Sequence, residues 1–279
     1  MKTLYVTDLD GTLLNSESEI SPYSSQLISA LSQDRALISI ATARTPATVE
    51  HILRSTYVPI PVIVMTGAAM WDNTAKRYIE PHFLAAGTCR DVKRLIQAHG
   101  VNPFTYTLGA DGCLEVFHTY DLTPVEHKFV DERRHLCLKH FHFDDPREQE
   151  PSVPDTILYF AIGDNNAIVE IAERLRATVD CSVGNYLDVA DPGIGLLDIY
   201  APRISKAHAV KELARRCGAG RIVVFGDNLN DIPMMEVADV AVAVDNALPE
   251  VKAIADVVIG SNCDDSVARY IEKDFRGRQ

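Results

Sequence analysis

Short runs of Val, Ile, Leu and Tyr recur along the chain: 3–7 (TLYVT), 36–41 (ALISIA), 62–66 (VIVMT), 221–225 (RIVVF), 240–244 (VAVAV) and 256–259 (DVVI). Near-continuous apolar runs of this length fit strands buried on both faces, which is how parallel sheets read. Between them, apolar positions fall at helical spacing over 22–33, 46–55, 206–217, 230–237, 247–254 and 264–274. Pro46 and Pro233 stand where a first helical turn tolerates proline, and Ser205 and Asp264 stand where an N-cap is wanted. The β-α-β-α alternation predicts a doubly wound, Rossmann-like α/β core built on a parallel sheet.

The middle of the chain follows another rhythm. A helix near 88–99 precedes FTYTL and CLEVFH, with Gly109-Ala110-Asp111-Gly112 between them as a hairpin turn. Then come HLCLKHFHF (135–143), the polar stretch DDPREQEPSVPD (144–155), the strand TILYFAI (156–162), a helix over 166–178 and two further short strands. Hairpins mixed with helices predict an α+β module inserted into the α/β core. The expected division is 1–82 and 198–279 for the core, with 83–197 for the insertion.

A hydrophobic fraction of 47% in 279 residues supports a sizeable core, and 24% charged residues argue against disorder. The net charge of −12 makes nucleic acid an unfavourable partner, so an anionic ligand would need local positive charge or a metal. The six cysteines are scattered with no C-x-x-C pair, which fits reduced thiols in a cytoplasmic protein. Asp8 arrives before any signal-peptide apolar stretch can form, and no run is long enough for a membrane helix. Neither the identity of a substrate nor the number of chains in an assembly has a readable code.

Candidate chemistry gathers at the predicted strand ends, where open α/β sheets bind their ligands. The first run ends in Asp8-Leu9-Asp10-Gly11, the second in Thr42 and Arg44, the third in Thr66-Gly67, and the fourth in GDNLND (226–231). Lys206 opens the helix that leads to the fourth. Asp8, Asp10, Asp227 and Asp231 then share one rim, and such a crowd of carboxylates calls for a hard divalent cation, Mg²⁺ before Zn²⁺. Mg²⁺ bound by few carboxylates commonly completes its shell with substrate phosphate. Gly11 permits a tight turn whose amides can cradle that phosphate, Thr42 offers a hydroxyl, Lys206 a charge, and the helix starting near Asn230 its N-terminus. Of the two leading aspartates, one can attack phosphorus while the other moves protons. Asp8 is assigned as nucleophile and Asp10 as acid/base, although bare chemistry allows the reverse order.

DLDGT (8–12), the ATAR threonine, Lys206 and GDNLND together resemble the haloacid dehalogenase superfamily, and more narrowly its Cof-like phosphatases with an α+β cap inserted between the second and third motifs. The resemblance covers nearly the whole core and continues through ADVAVAVDNALPEVKAIADVVIGSNCDDSVARYI. It implies a Mg²⁺-dependent hydrolase of small phosphorylated metabolites, a sugar phosphate or similar ester, acting through an aspartyl-phosphate. It further implies metal contacts from Asp8, the Asp10 carbonyl, Asp227 and Asp231, the last as ligand or as anchor. Leu9, Gly11, Thr42, Lys206 and Asn230 would hold phosphate, and Arg44, Thr66 and Gly67 would lie near the substrate. Ion-pumping relatives lack the second aspartate, so Asp10 favours hydrolysis. Ala43, Thr66-Gly67-Ala68 and the valines of VAVAV depart modestly from the family pattern. A phosphomutase would use the same two aspartates, and a phospho-accepting signalling domain would use one of them with a threonine and a lysine. GDNN (163–166) imitates the fourth motif without its downstream pair, so Asp164 reads as a helix cap. The histidines of HFHF match no common ligand spacing and read as a wet strand face.

Overall fold

A computed structural model describes residues 1–150, 152–188 and 191–278. The first apolar run forms β1 (Thr3–Thr7), and the second forms β2 (Leu37–Ile40). The third gives only β3 (Val62–Val64), which turns back into β4 (Ala69–Asp72) and β5 (Arg77–Ile79). The inserted segment contributes β6 (Phe104–Leu108), β7 (Leu114–His118), β8 (Lys139–Phe143), β9 (Thr156–Asp164), β10 (Ser182–Leu187) and β11 (Ile194–Tyr200). The last part returns with β12 (Arg221–Gly226), β13 (Val240–Ala243) and β14 (Val257–Val258).

Two compact units result. One comprises Met1–Glu80 with Ser205–Gln279, the other Pro81–Ile204. The return to the first unit had been expected at 198, inside what is now β11. That strand pairs with β9 and β10 along its length, so its hydrogen bonds keep it in the second unit.

In the first unit the sheet order is β14-β13-β12-β1-β2, and all pairs are parallel. β1 therefore lies between β2, which follows it, and β12, which comes much later. The strand order reverses there, and the crevice for a ligand opens beyond the carboxyl ends of these two strands. Leu4, Val6, Val223, Val224 and Phe225 are fully buried, as strands covered on both faces require. The third apolar run does not extend this sheet as expected. It touches it through one parallel bridge, Ala41 to Ile63, and otherwise forms an antiparallel sheet with β4 and β5. Met65, Thr66 and Gly67 all adopt positive φ, which swings the chain out of the parallel path. Ser205 caps the helix Lys206–Cys217 through the His208 amide, as expected. Asp264 does not cap the last helix, because it closes a short turn (Asn262–Asp264) that Ser261 caps instead.

The inserted unit is a six-stranded sheet, β10-β11-β9-β6-β7-β8. Tyr159, Ala161, Leu197 and Ile199 on one face pack with Cys89, Val92 and Ile96 of the helix Ala86–Ala98 and with Ile168, Ile171 and Leu175 of the helix Asn165–Thr178. Period two puts Phe104, Tyr106, Phe141, Phe160 and Asp198 on the opposite face. Phe129, from the helix Pro124–Asp131, stacks there against Phe104 and Phe160.

Candidate active site

Most site residues stand just past the end of a strand, while Lys206 opens a helix. β1 runs out at Thr7, and the Asp8 amide still bonds to the Phe225 carbonyl of β12 at 3.0 Å, so the two strand ends stay locked in register. The chain then coils through Leu9–Leu13, with Gly11 at φ +75°. A Cβ at Gly11 would sit 2.4 Å from Asp227 Oδ2, so the close approach of this turn to β12 requires glycine. Thr12 Oγ1 donates to Asp227 Oδ1 at 2.6 Å, and Asn246 Nδ2 donates to the Gly11 carbonyl at 2.7 Å.

Lys206 is the centre of the arrangement. Its Nζ donates to Asp8 Oδ1 at 2.6 Å and to Asp231 Oδ1 at 2.7 Å. Asp231 Oδ2 accepts the amides of Asp227 and Asn228 at 3.0 and 3.2 Å, so both of its oxygens are engaged. Asp8, Thr42, Lys206 and Asp231 are all buried. Burial works against the charge of Lys206, but Asp8 and Asp231 outweigh it and hold the amine protonated. Burial raises Asp8 above the usual carboxylate range, with Lys206 opposing and Asp231 and Asp227 adding. Burial also pushes Asp227 up to about 6, against the Thr12 bond and with the charge of Asp231. Asp8, Asp227 and Asp231 each bring a carboxylate oxygen within 4.8 Å of the others. Such a crowded, all-oxygen donor set fits a hard divalent cation.

Asp10 is not one of these three. Its carboxylate is 53% exposed and forms a bidentate pair with Arg44, at 2.8 Å from Nε and 2.6 Å from Nη2. Arg44 is therefore held beside Asp10 by a two-pronged ion pair. The Arg44 amide in turn donates to Thr42 Oγ1 at 3.1 Å. The Thr66 amide bonds to the Thr42 carbonyl, and Gly67 packs so closely that a Cβ would lie 2.6 Å from the Ser205 carbonyl. Thr66 and Gly67 thus brace the Thr42 segment and the start of the Lys206 helix. Leu9 is buried in the core, which leaves only its backbone for a ligand, and Asn230 is exposed.

Sequence reasoning gave no role to Thr12 or Asn246. Asn246 lies just past the end of β13, so the strand-end rule that found Asp227 extends to it. In the inserted unit, Asp111, Cys113 and His140 also converge within 4.8 Å, but Asp111 there already caps the Cys113 amide.

The haloacid dehalogenase-like hydrolase family model matches residues 5–271. The chain belongs to this family. It is a Cof-like member and an enzyme of phosphatase type, and members of this family generally use a divalent metal. A 5-amino-6-(5-phospho-D-ribitylamino)uracil phosphatase from Bacillus subtilis is 25% identical over 96% of this chain and 94% of its own length. A chloroplastic endoribonuclease YBEY of Arabidopsis thaliana is also 25% identical over 95% of this hydrolase, which spans only 45% of that relative. The crystal structure of a haloacid dehalogenase-like hydrolase from Bacteroides thetaiotaomicron superposes with a TM-score of 0.78. It is 22% identical, with 99% of this chain and 100% of that one covered. That likeness shows the shared fold of parallel core and inserted antiparallel sheet. Among the described residues no helix is long and apolar enough to cross a membrane.

Proposed function

We propose that this hydrolase cleaves small phosphate monoesters, of the sugar-phosphate kind, through a phosphoryl group carried transiently on Asp8. The observation that carries this reading is the buried Asp8 carboxylate beside Asp227, with Oδ1 tied to the Lys206 ammonium. Lys206 fixes one oxygen of Asp8 and offsets its charge, which orients Oδ2 as the attacking atom. An Asp8 Oδ2–P bond forms, the ester P–O bond breaks, and the leaving alkoxide takes a proton from Asp10, which must first leave its Arg44 pair and take up that proton from solvent. Asp10 then takes a proton from water, whose oxygen displaces Asp8 from phosphorus and releases inorganic phosphate. The exposure of Asp10 lets it reach both the leaving alcohol and the incoming water.

Thr42 Oγ1, the Asn230 side chain and the backbone at Leu9 and Gly11 would contact the phosphoryl oxygens. Asp8, Asp227 and the Asp10 carbonyl would hold the divalent cation, Mg²⁺ by its all-oxygen donors. Asp231, with both oxygens already bonded, serves behind them as the anchor of Lys206 and of the Asp227 turn. When bound, that cation neutralises charge on the transferring group. A small phosphorylated metabolite in a reducing cytoplasm is the setting this chemistry suits, and the ribityl phosphate named for the Bacillus subtilis relative belongs to the same class.

The test is phosphate release from a broad set of monoesters, run with Mg²⁺ and again with EDTA. Metal-dependent release is expected, strongest for sugar phosphates. No release from any ester by folded, metal-supplied protein overturns the reading.

A further inference from the structure

The inserted unit carries metal-ligating side chains of a different chemistry from the carboxylates around Asp8. Asp111 and Cys113 lie on the turn that joins β6 to β7, and His140 is the second residue of β8. β7 and β8 run parallel with Glu115 opposite His140, and the Leu114 amide bonds to the Leu138 carbonyl at 2.9 Å. That register sets the turn beside the start of β8. One carboxylate oxygen of Asp111, the Cys113 sulfur and one ring nitrogen of His140 all lie within 4.8 Å of one another. Cys113 is a free, half-buried thiol, while Asp111 and His140 are exposed, so an ion can reach the trio from solvent.

The surroundings of the trio suit an ion. Asp111 Oδ1 accepts the Cys113 amide at 2.9 Å, which fixes the carboxylate beside the thiol, and an ionised carboxylate keeps further lone pairs for a metal. Behind His140, Glu115 Oε1 lies 3.2 Å from Nδ1, and Glu115 Oε2 bonds to His142 Nε2. A carboxylate only accepts, so the neutral His140 ring carries its proton on Nδ1 and keeps a lone pair on Nε2. Metal-binding histidines are commonly held by a carboxylate in this way. Gly109 lacks the positive φ of Gly112, yet a Cβ there would lie 2.9 Å from Asp111 Oδ1 and 3.3 Å from Glu115 Oε1. Glycine at 109 thus leaves room beside both carboxylates. A tetrahedral ion with bonds of about 2.0–2.3 Å holds its ligand atoms about 3.5 Å apart, so side-chain rotations of about 1 Å close the trio on it.

We propose that Asp111, Cys113 and His140 bind a divalent transition-metal ion of the zinc class, with Glu115 as the positioning residue that orients His140. Sulfur and nitrogen donors separate this site from the all-oxygen set of Asp8, Asp227 and Asp231, which suits Mg²⁺. Binding deprotonates the thiol: the Cys113 S–H bond breaks, a sulfur–metal bond forms, and one proton passes to solvent for each ion bound. Water completes the fourth position, and the ion ties the β6–β7 turn to β8. The inference goes beyond the phosphoryl chemistry proposed for Asp8 and does not depend on it.

The experiment titrates the full chain with Co²⁺, a spectroscopic stand-in for Zn²⁺, in excess Mg²⁺ and without chelating buffer. A thiolate-to-cobalt charge-transfer band in the near ultraviolet is expected, saturating at one ion per chain and erased by Zn²⁺. Cobalt held by oxygen donors alone gives no such band, so the carboxylates around Asp8 do not contribute. Cys113→Ser is expected to abolish the band, and Asp111→Ala and His140→Ala to weaken it, each variant being checked as folded by circular dichroism. Glu115→Gln keeps the side chain's shape and is expected to raise the Co²⁺ needed for half-saturation by about tenfold. No band at millimolar Co²⁺ overturns the proposal. So does a band that survives Cys113→Ser, or one that neither Asp111→Ala nor His140→Ala changes, which would report a lone thiol. Because the readout is the metal–sulfur bond and not turnover, an inactive enzyme would leave the test intact.

Discussion

The two units each bury a lysine, and the two lysines have opposite fates. Lys206 is 1% exposed and Lys139 is 4% exposed, so desolvation treats them alike. Lys206 meets two carboxylates at 2.6 and 2.7 Å and is held charged. Lys139 meets two aromatic faces and the field of Arg133, and is pushed down to about 7. Burial sets the cost of a charge, but partners decide whether it survives. In the first unit the charge is structural and chemical at once, since it binds together Asp8 and Asp231 from distant parts of the chain. In the second, among the described residues, it meets ring faces instead of carboxylates.

The first way to break the contrast is to remove what Lys206 serves. Asp8→Asn keeps the size of the side chain but not its nucleophilic charge. Turnover of the best ester should fall by about 10⁴-fold or more, with the fold intact by circular dichroism. Wild-type turnover in folded Asp8→Asn with saturating Mg²⁺ would sink the assignment of Asp8. Next comes the cation. Lys206→Met leaves Asp8 and Asp231 buried without compensation and should cost about 3–5 kcal/mol of unfolding free energy in urea titrations. Adding Asp231→Asn to that variant should recover part of the loss, because one orphaned charge has gone. Strictly additive losses would mean the pair is not coupled through Lys206.

Much of this was legible beforehand, for physical reasons. Apolar runs that stop at Asp8 and at Asp227 announce strand ends, and an α/β sheet puts its ligands there. Asp164 was separable from the Asp227 motif by sequence alone, and its side chain does cap the Asn166 and Ala167 amides. Period two placed both rings of His140 and His142 on one face, and both reach Glu115. The same period sets Lys139 among Phe141 and Phe143, which flagged nothing, because a lysine in an alternating run reads as an edge residue. The path of β3 was hidden for another reason. VIVMT has strand composition, while the positive φ of Met65 and Thr66 accompanies amide bonds to the Arg44 and Thr42 carbonyls, a pairing that no propensity encodes. The grip of Lys206 on two carboxylates was invisible too, since residues 8, 206 and 231 meet only after the sheet forms.

Gly11 sharpens the comparison from the metal side. Gly11→Ala must place a Cβ at φ +75° and within 2.4 Å of Asp227 Oδ2, so Asp227 has to shift. Backbone strain should cost about 1 kcal/mol of stability, and turnover should drop about 100-fold through the displaced Asp227 carboxylate. A larger Mg²⁺ concentration for half-maximal rate would report that displacement. An unchanged metal requirement would show that Asp227 does not set the cation's position.

The last effect has the opposite sign. Lys139→Met removes a charge that no carboxylate among the described residues compensates, and methionine fills the aliphatic path between Tyr106 and Phe141. The variant should be more stable than the parent by about 2 kcal/mol at pH 6. The gain should depend on pH in a defined sense. Below about 7 the folded parent carries the buried ammonium, and the penalty is complete. Between about 7 and the unfolded value of 10.5, folding releases a proton, so parental stability rises with pH and the advantage of methionine shrinks. Above that range the amine is neutral in both states, and only packing separates the two proteins. Urea titrations of parent and variant at pH 6, 8 and 10 would trace the curve. A pH-independent difference would mean that Lys139 keeps its proton when folded, and its likeness to Lys206 would then be closer than its partners suggest.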